Sequence, residues 1–232
     1  MSRLSLTDFQ NWGLEEILKA FPDLAIVPSV SNQLLVTGDL SFDARLEGFN
    51  QIIDTYSIEI RIPKAFPDQL PKVFERNGRI PESFHKFSDG SLCLGSLIRL
   101  RLLVMEHATL TGFVQRCIIP YLYGYSHFEK YGTLPQEELD HGSPGLIQDY
   151  ITLLEVKDES ACRGLLKLLC MKRRIANKYP CPCSSGRRVG KCHHLILNSL
   201  RTQLNRSWLR RHIQYVLQDL DSKQRRTSSS KR

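Results

Sequence analysis

No run of apolar residues in this chain approaches the roughly 20 that span a bilayer, so no membrane helix is expected. The start, residues 1–8, lacks an apolar stretch of signal-peptide length and runs straight into an amphipathic pattern; a cytoplasmic location is expected. Cysteine is not used as in a secreted disulfide scaffold. The count is seven, an odd number, and three of them crowd into residues 181–192, which suits metal ligation in a reducing compartment better. The most informative absence is of acid. From residue 163 onward, two Asp/Glu stand against 18 Lys/Arg, whereas residues 1–162 carry 22 against 14, so a net charge of +8 divides into −8 and +16. That asymmetry marks a boundary near residue 160 and gives the C-terminal part a preference for acidic partners, protein or nucleic acid. A solvated basic helical surface with no dedicated partner is the plain alternative.

At 232 residues the chain has room for one domain of about 150 residues and a smaller appendage. Residues 6–21 have helical spacing through Leu6, Phe9, Trp12, Ile17 and Phe21, with Thr7 and Asp8 placed to cap the start. Leu34, Val36, Gly38, Leu40 and Phe42 alternate as one buried face of a strand, and Tyr56, Ile58, Ile60 and Ile62 do so again. Pro63, Pro67 and Pro71 then break the chain, and Val73–Glu75 is left as a short edge strand. Residues 77–107 read as irregular, too long for an idle connection. Helical spacing returns over 109–126, with Pro120 forcing a kink and Cys117 in the core stripe. It recurs over 145–156, after Asp158 as an N-cap with Cys162 in the packed stripe, and in two basic helices around 194–204 and 207–220. Residues 222–232 hold five Lys/Arg and no apolar residue, and disorder is expected there.

The segment from Cys181 to His193 offers three thiols and an imidazole, Cys181, Cys183, Cys192 and His193, within thirteen residues. That is a closed tetrahedral set, and zinc is the expected ion, structural rather than catalytic because no position stays open. Ser184, Ser185, Gly186 and Gly190 supply turns, and Arg187, Arg188 and Lys191 offset thiolate charge. A redox Cys-x-Cys pair or cysteines brought together by chance are the alternatives, and His194 is a weaker substitute ligand for His193. The Cys-x-Cys-x8-Cys-His spacing resembles the SEC-C motif, the short zinc-binding element at the end of the bacterial SecA translocase and of many other bacterial proteins.

Cys93 lies just after an Asp89-Gly90 turn, in a loop where a thiol can be shielded on one side and open on the other, as acyl transfer requires. Taken alone, a single cysteine is more often an inert apolar residue. The order helix, strand meander, Tyr56-x-Ile58-x-Ile60-x-Ile62-Pro63, Phe66-Pro67, Pro71-x-Val73, His85 and Gly90-Ser91-Leu92-Cys93-Leu94 resembles the ubiquitin-conjugating family over roughly residues 5–155. Phe128 to Gly132 and His141-Gly142 are similar to bacterial members. The resemblance implies an α+β fold, an antiparallel β-meander flanked by helices, with Cys93 accepting the C-terminal carboxyl of a partner protein as a thioester. The family's His-Pro-Asn tripeptide is represented by His85 alone, with Lys86 and Phe87 following, and the segment Ser96 to His107 after Cys93 has leucines and arginines but no tryptophan. His85, Asp89, His107 and His141 are candidates for positioning or proton transfer, His85 foremost, each with a structural reading beside it. For His107, His127 and His141 the structural reading is preferred.

The expected organisation is a conjugating-like domain over 1–157, a basic helical module with the zinc motif over 158–221, and the tail over 222–232. Bacterial proteins of this type occur with antiphage defence, including cyclic-oligonucleotide signalling systems. The resemblance implies an acyl carrier acting on the C-terminal glycine of a ubiquitin-like protein or a CD-NTase-like nucleotidyltransferase. Two further readings stand beside it: a catalytically inactive adapter of the same fold, and nucleic-acid or acidic-protein binding by the basic module.

Overall fold

The computed structural model describes residues 12–27, 33–135 and 143–229, with side chains for all of these but 143, 144 and 223–229. The expected cap at Thr7 and Asp8, and His141, lie outside the described residues. The chain is α+β and separates into two compact units, Met1–Glu138 and Leu139–Arg232.

In the first unit, α1 (Leu14–Ala20) precedes four antiparallel strands in the order β1 (Leu24–Val27), β2 (Gln33–Ala44), β3 (Ile52–Pro63) and β4 (Lys72–Glu75). The alternation in the sequence sets the register: Leu34 faces Ile62, Val36 faces Ile60 and Leu40 faces Tyr56, with each of these side chains buried. Ile58, Ile60 and Ile62 are fully enclosed, and burial of such a side chain stabilises by about 1.5–3 kcal/mol. Gly38 sits at φ 143° opposite Leu24, where a Cβ would come within 2.1 Å of the Asp23 carbonyl oxygen. Only glycine lets β1 approach there. β1 was not evident from the sequence because Leu24 alone of its four residues is buried.

After β4, residues 77–96 form the loop that carries Cys93, and a helix follows, α2 (Leu97–Glu106). The expectation of irregular chain as far as residue 107 is corrected here. Its helical stripe was obscured by Arg101, which points inward at 1% exposure and donates to the Asp68 carbonyl and, at 2.7 Å, to Asp68 Oδ1. Thr109 caps α3 (Leu110–Phe113) by accepting from Gly112 N–H at 3.1 Å. A π-turn, Val114–Ile118, then leads into α4 (Ile119–Tyr131). The wide turn lets Pro120, which has no N–H to donate, enter at the start of α4 without ending the helical run. Cys117 and Leu122 on this run join the core against the sheet.

The second unit comprises α5 (Ser143–Leu153), α6 (Glu159–Leu169), α7 (Arg173–Ala176), a knuckle, α8 (His194–Gln203) and α9 (Arg206–Ser229). Asp158 caps α6, its carboxylate accepting from Ala161 N–H at 2.9 Å. α5 packs on α6 and α9, so the helix that the sequence reading grouped with residues 1–157 lies in this unit, with Tyr150, Cys162 and Ile213 fully buried in its core. α9 continues as far as Ser229, whereas disorder was expected from residue 222. The extension fits a run of Lys, Arg and Gln, which are good helix formers. No helix among the described residues is long and apolar enough to cross a membrane.

Candidate active site and metal centre

The Cys93 loop is a tight hairpin pinned to the edge of the sheet. Lys86 and Leu92 form an isolated antiparallel bridge, Phe87 N–H donates to Ser91 O at 2.8 Å, and Leu92 N–H reaches Val73 O of β4 at 2.8 Å. Asp89 organises the turn. Its Oδ1 accepts from Ser91 N–H and Ser91 Oγ, and its Oδ2 accepts from Lys72 at 2.6 Å; hydrogen bonds from Lys72 and then Ser91 hold its carboxyl well below the usual range. Asp89 is therefore a turn-former.

Cys93 itself is half-buried. Its N–H donates to His85 O at 2.7 Å, and Tyr121 Oη, from α4, lies 3.1 Å from Phe84 O and 3.2 Å from His85 O. The backbone of His85, held at φ 39°, is thus clamped between the cysteine and the phenol. The His85 ring packs edge-on against Phe84 at 5.0 Å. Burial pushes the Cys93 thiol up from its ordinary value, and a hydrogen bond from Gly95 N–H pulls it partway back. Burial also raises the Tyr121 phenol, and negative charge on Cys93 raises it further, which puts the two groups within electrostatic reach. Ser96, at the start of α2, has a buried Oγ with no hydrogen-bond partner among the described residues. Tyr121 was read from the sequence only as part of a core stripe; its place beside Cys93 depends on α4 crossing the loop 28 residues later in the chain.

The other histidines divide as follows. His107 is exposed at the end of α2. His127 is buried, its Nδ1 2.7 Å from Thr133 O and its ring against Phe49 and Tyr131, which makes it a core residue. A polar network that the sequence did not reveal crosses the far end of β3: Arg79 donates to both oxygens of Asp54 at 2.8 and 2.7 Å and to Glu129 at 2.6 Å, and Ser126 bridges Asp54 and Tyr56. Its charges satisfy one another, and it braces α4 on the sheet.

Because burial works against the thiolate, alkylation of Cys93 by iodoacetamide is expected to titrate with a midpoint above that of a free cysteine, about 8.5. At neutral pH the reaction should run several-fold slower than with a cysteine peptide, yet faster than at Cys117 and Cys162, whose thiols burial pushes up to about 12. Peptide mapping of labelled protein across pH checks this; a midpoint below the free value would mean an activating cation lies against the sulfur.

In the second unit, Cys181, Cys183, Cys192 and His193 come together with their ligand atoms all within 4.8 Å of one another. Cys181 Sγ lies 3.1 Å from His193 Nδ1, and Cys183 Sγ lies 3.3 Å from Cys181 Sγ and 3.5 Å from Cys192 Sγ. Backbone pairing makes the convergence: Cys181 N–H donates to Arg187 O, Val189 N–H to Tyr179 O and Cys192 N–H to Val189 O, while Ser184 and Gly186 turn the chain at positive φ. His193 takes the N-cap position of α8 with its ring on the sulfurs rather than on a helix N–H, whereas His194 enters the helix with a buried Nδ1 outside the cluster. Crowding drives the sulfurs apart in acidity. Burial pushes Cys181 up to about 12; it also raises Cys183, but hydrogen bonding with Ser185, Cys181 and Cys192 outweighs it and brings that thiol down to about 7. Three soft sulfurs and an imidazole at one point resist being charged together without a cation, so the donor set fits a metal ion. No protein-family model, curated protein or solved structure matches this chain.

Proposed function

We propose that the first unit is a ubiquitin-conjugating-like acyl carrier and that the second is stabilised by a structural zinc ion on Cys181, Cys183, Cys192 and His193. The observation that carries the first part is the setting of Cys93: a half-buried sulfur on a hairpin anchored to β4, its N–H fixed by His85 O and its sulfur facing Gly95 N–H. That rigidity suits a nucleophile that must be held in one geometry. In this reading the Cys93 thiolate attacks the carbonyl carbon of an activated C-terminal glycine and expels the activating group. The thioester is then cleaved by an amine or another thiol, which takes the acyl group and returns the Cys93 sulfur. The buried hydroxyl of Ser96 and the backbone N–H groups at the start of α2 are the donors for the oxyanion, in place of the asparagine that the family uses. His85 acts through its carbonyl, as a positioning residue. The partner would be a ubiquitin-like protein or a CD-NTase-like nucleotidyltransferase, in bacterial antiphage defence. Three cysteines and one histidine favour zinc over harder ions, and four protein ligands leave no open position for catalysis.

The raised Cys93 thiol favours a second reading, a catalytically inactive adapter of the same fold. Intact mass of wild type and Cys93→Ala, each expressed with the neighbouring genes, separates the two. A hydroxylamine-sensitive adduct present in wild type and lost in the variant supports the carrier. Equal adducts, or none in either protein, would leave the adapter.

A further inference from the structure

Between Glu159 and Asp219 the chain has 13 Lys/Arg, nine of them Arg, and no carboxylate. Three of these arginines lie at helix ends. Arg201 on α8 donates to Leu168 O at 2.8 Å and Met171 O at 3.4 Å, which fixes its guanidinium at the end of α6. Arg173 opens α7 and Arg206 opens α9; both are exposed, and neither is ion-paired among the described residues. Arg173 follows Met171 by two residues and Arg206 follows Arg201 by five, so the Arg201 contacts with the end of α6 set the three arginines on adjoining stretches of chain. Burial lowers the pKa of Arg201, and the charges of Arg173 and then Arg206 lower it further. Lys172, Arg174, Arg187, Arg188, Arg210 and Arg211 of the same unit are exposed as well.

Three guanidinium groups clustered without an acid are mutually repulsive, and an anion between them relieves the repulsion. We propose that the C-terminal unit binds duplex nucleic acid through its phosphate backbone, with Arg173, Arg201 and Arg206 forming the central phosphate cradle. Arginine's planar fork matches phosphate oxygens two at a time, which fits the excess of Arg over Lys. The cations run through α7, the knuckle, α8 and α9 rather than gathering in one compact patch, as suits a long, regular polyanion better than an acidic protein face. Aromatic surface for stacking unpaired bases is sparse: Tyr179 and Tyr215 are exposed, while Trp208 is stacked on His212 at 4.8 Å. A duplex is therefore favoured over a single strand.

The test is fluorescence anisotropy of the full, metal-loaded chain with a labelled DNA duplex of random sequence, over about 50 to 200 mM salt. Three or more phosphates neutralised give a slope of log affinity against log salt of about −3 or steeper. Arg173→Gln/Arg206→Gln leaves Arg201 and its carbonyl contacts in place; it is expected to weaken binding about tenfold and to flatten the slope by about 2. Arg45→Gln/Lys130→Gln in the first unit is the charge-matched control and should leave the slope unchanged. No binding at low salt, equal flattening by the control pair, a wild-type slope in the cradle variant, or displacement by polyglutamate as effective as by unlabelled duplex would each overturn the proposal. Because the readout does not involve Cys93, it stands or falls separately from the acyl-carrier reading.

Discussion

Stripping the metal from the C-terminal unit with a chelator is expected to turn the knuckle into an open loop that trypsin cuts at Arg187, Arg188 and Lys191. The thirteen residues from Cys181 to His193 cost about 1–2 kcal/mol each to order. Against that stand a few backbone hydrogen bonds and two well-buried side chains, Cys181 and Val189. Such a segment cannot hold its shape by packing. Zinc held by such a ligand set would contribute an apparent free energy of about 10–16 kcal/mol at neutral pH, of the order of the shortfall. Elemental analysis should find one metal per chain in wild type and none in Cys181→Ser/Cys183→Ser, and the variant should be cut at the same three residues without chelator. Acid should release the ion as protons compete for the thiolates. A knuckle that stays resistant to trypsin after losing its metal would show that contacts such as that of Gly164 against Pro182, where an added Cβ would come within 2.6 Å, suffice alone.

The knuckle was legible in the sequence because its four ligands are near neighbours in the chain, and short-range turn chemistry brings them together. Even the choice between His193 and His194 turned on one helical step: the first residue stands just before α8 and faces the sulfurs, and the second is already inside the helix. β2 and β3 were legible for a related reason, since strict alternation places every second side chain on the buried face. Elements whose buried face is not an apolar repeat are hidden. β1 buries one residue of four, and the buried stripe of α2, Ile98, Arg101 and Val104, has an arginine at its centre while leucines lie off it, so neither carries a clean signal.

The surroundings of Cys93 belong to a third class. His85 and the Asp89-Gly90 turn lie close in sequence, and their part in the loop could be read. Val73 O, which anchors the hairpin, and Tyr121, which clamps His85, come from 20 residues before and 28 residues after the cysteine. Nothing in local spacing ties them to it. The loop's place in the sequence allowed for a thiol shielded on one side, but did not indicate that burial would outweigh Gly95 N–H, the hydrogen-bond donor that opposes it.

Arg79→Met is expected to cost about 2–4 kcal/mol of unfolding free energy at neutral pH, below the range for a fully buried pair because the Arg79 side chain keeps 33% of its surface. The loss comes from what remains behind: Asp54, at 19% exposure, and Glu129 would face each other without the cation that both of them bind. In wild type, burial raises the Asp54 carboxyl, but hydrogen bonds from Arg79, Ser126 and Thr55 outweigh it and hold the pKa below 3.8. A depressed folded-state pKa contributes stability that is present above the unfolded value and lost as pH falls through the folded one. Without Arg79 the balance tips toward burial, and the carboxyl titrates above its unfolded value. The variant then regains stability as acid neutralises it, over the range in which wild type begins to lose its own. Urea denaturation from pH 7 to pH 4 should therefore show the gap between the two proteins narrowing steadily. A gap independent of pH would mean that the cost of the substitution comes from lost packing, such as that of Arg79 over the Tyr56 ring at 4.4 Å, rather than from the stranded carboxylate.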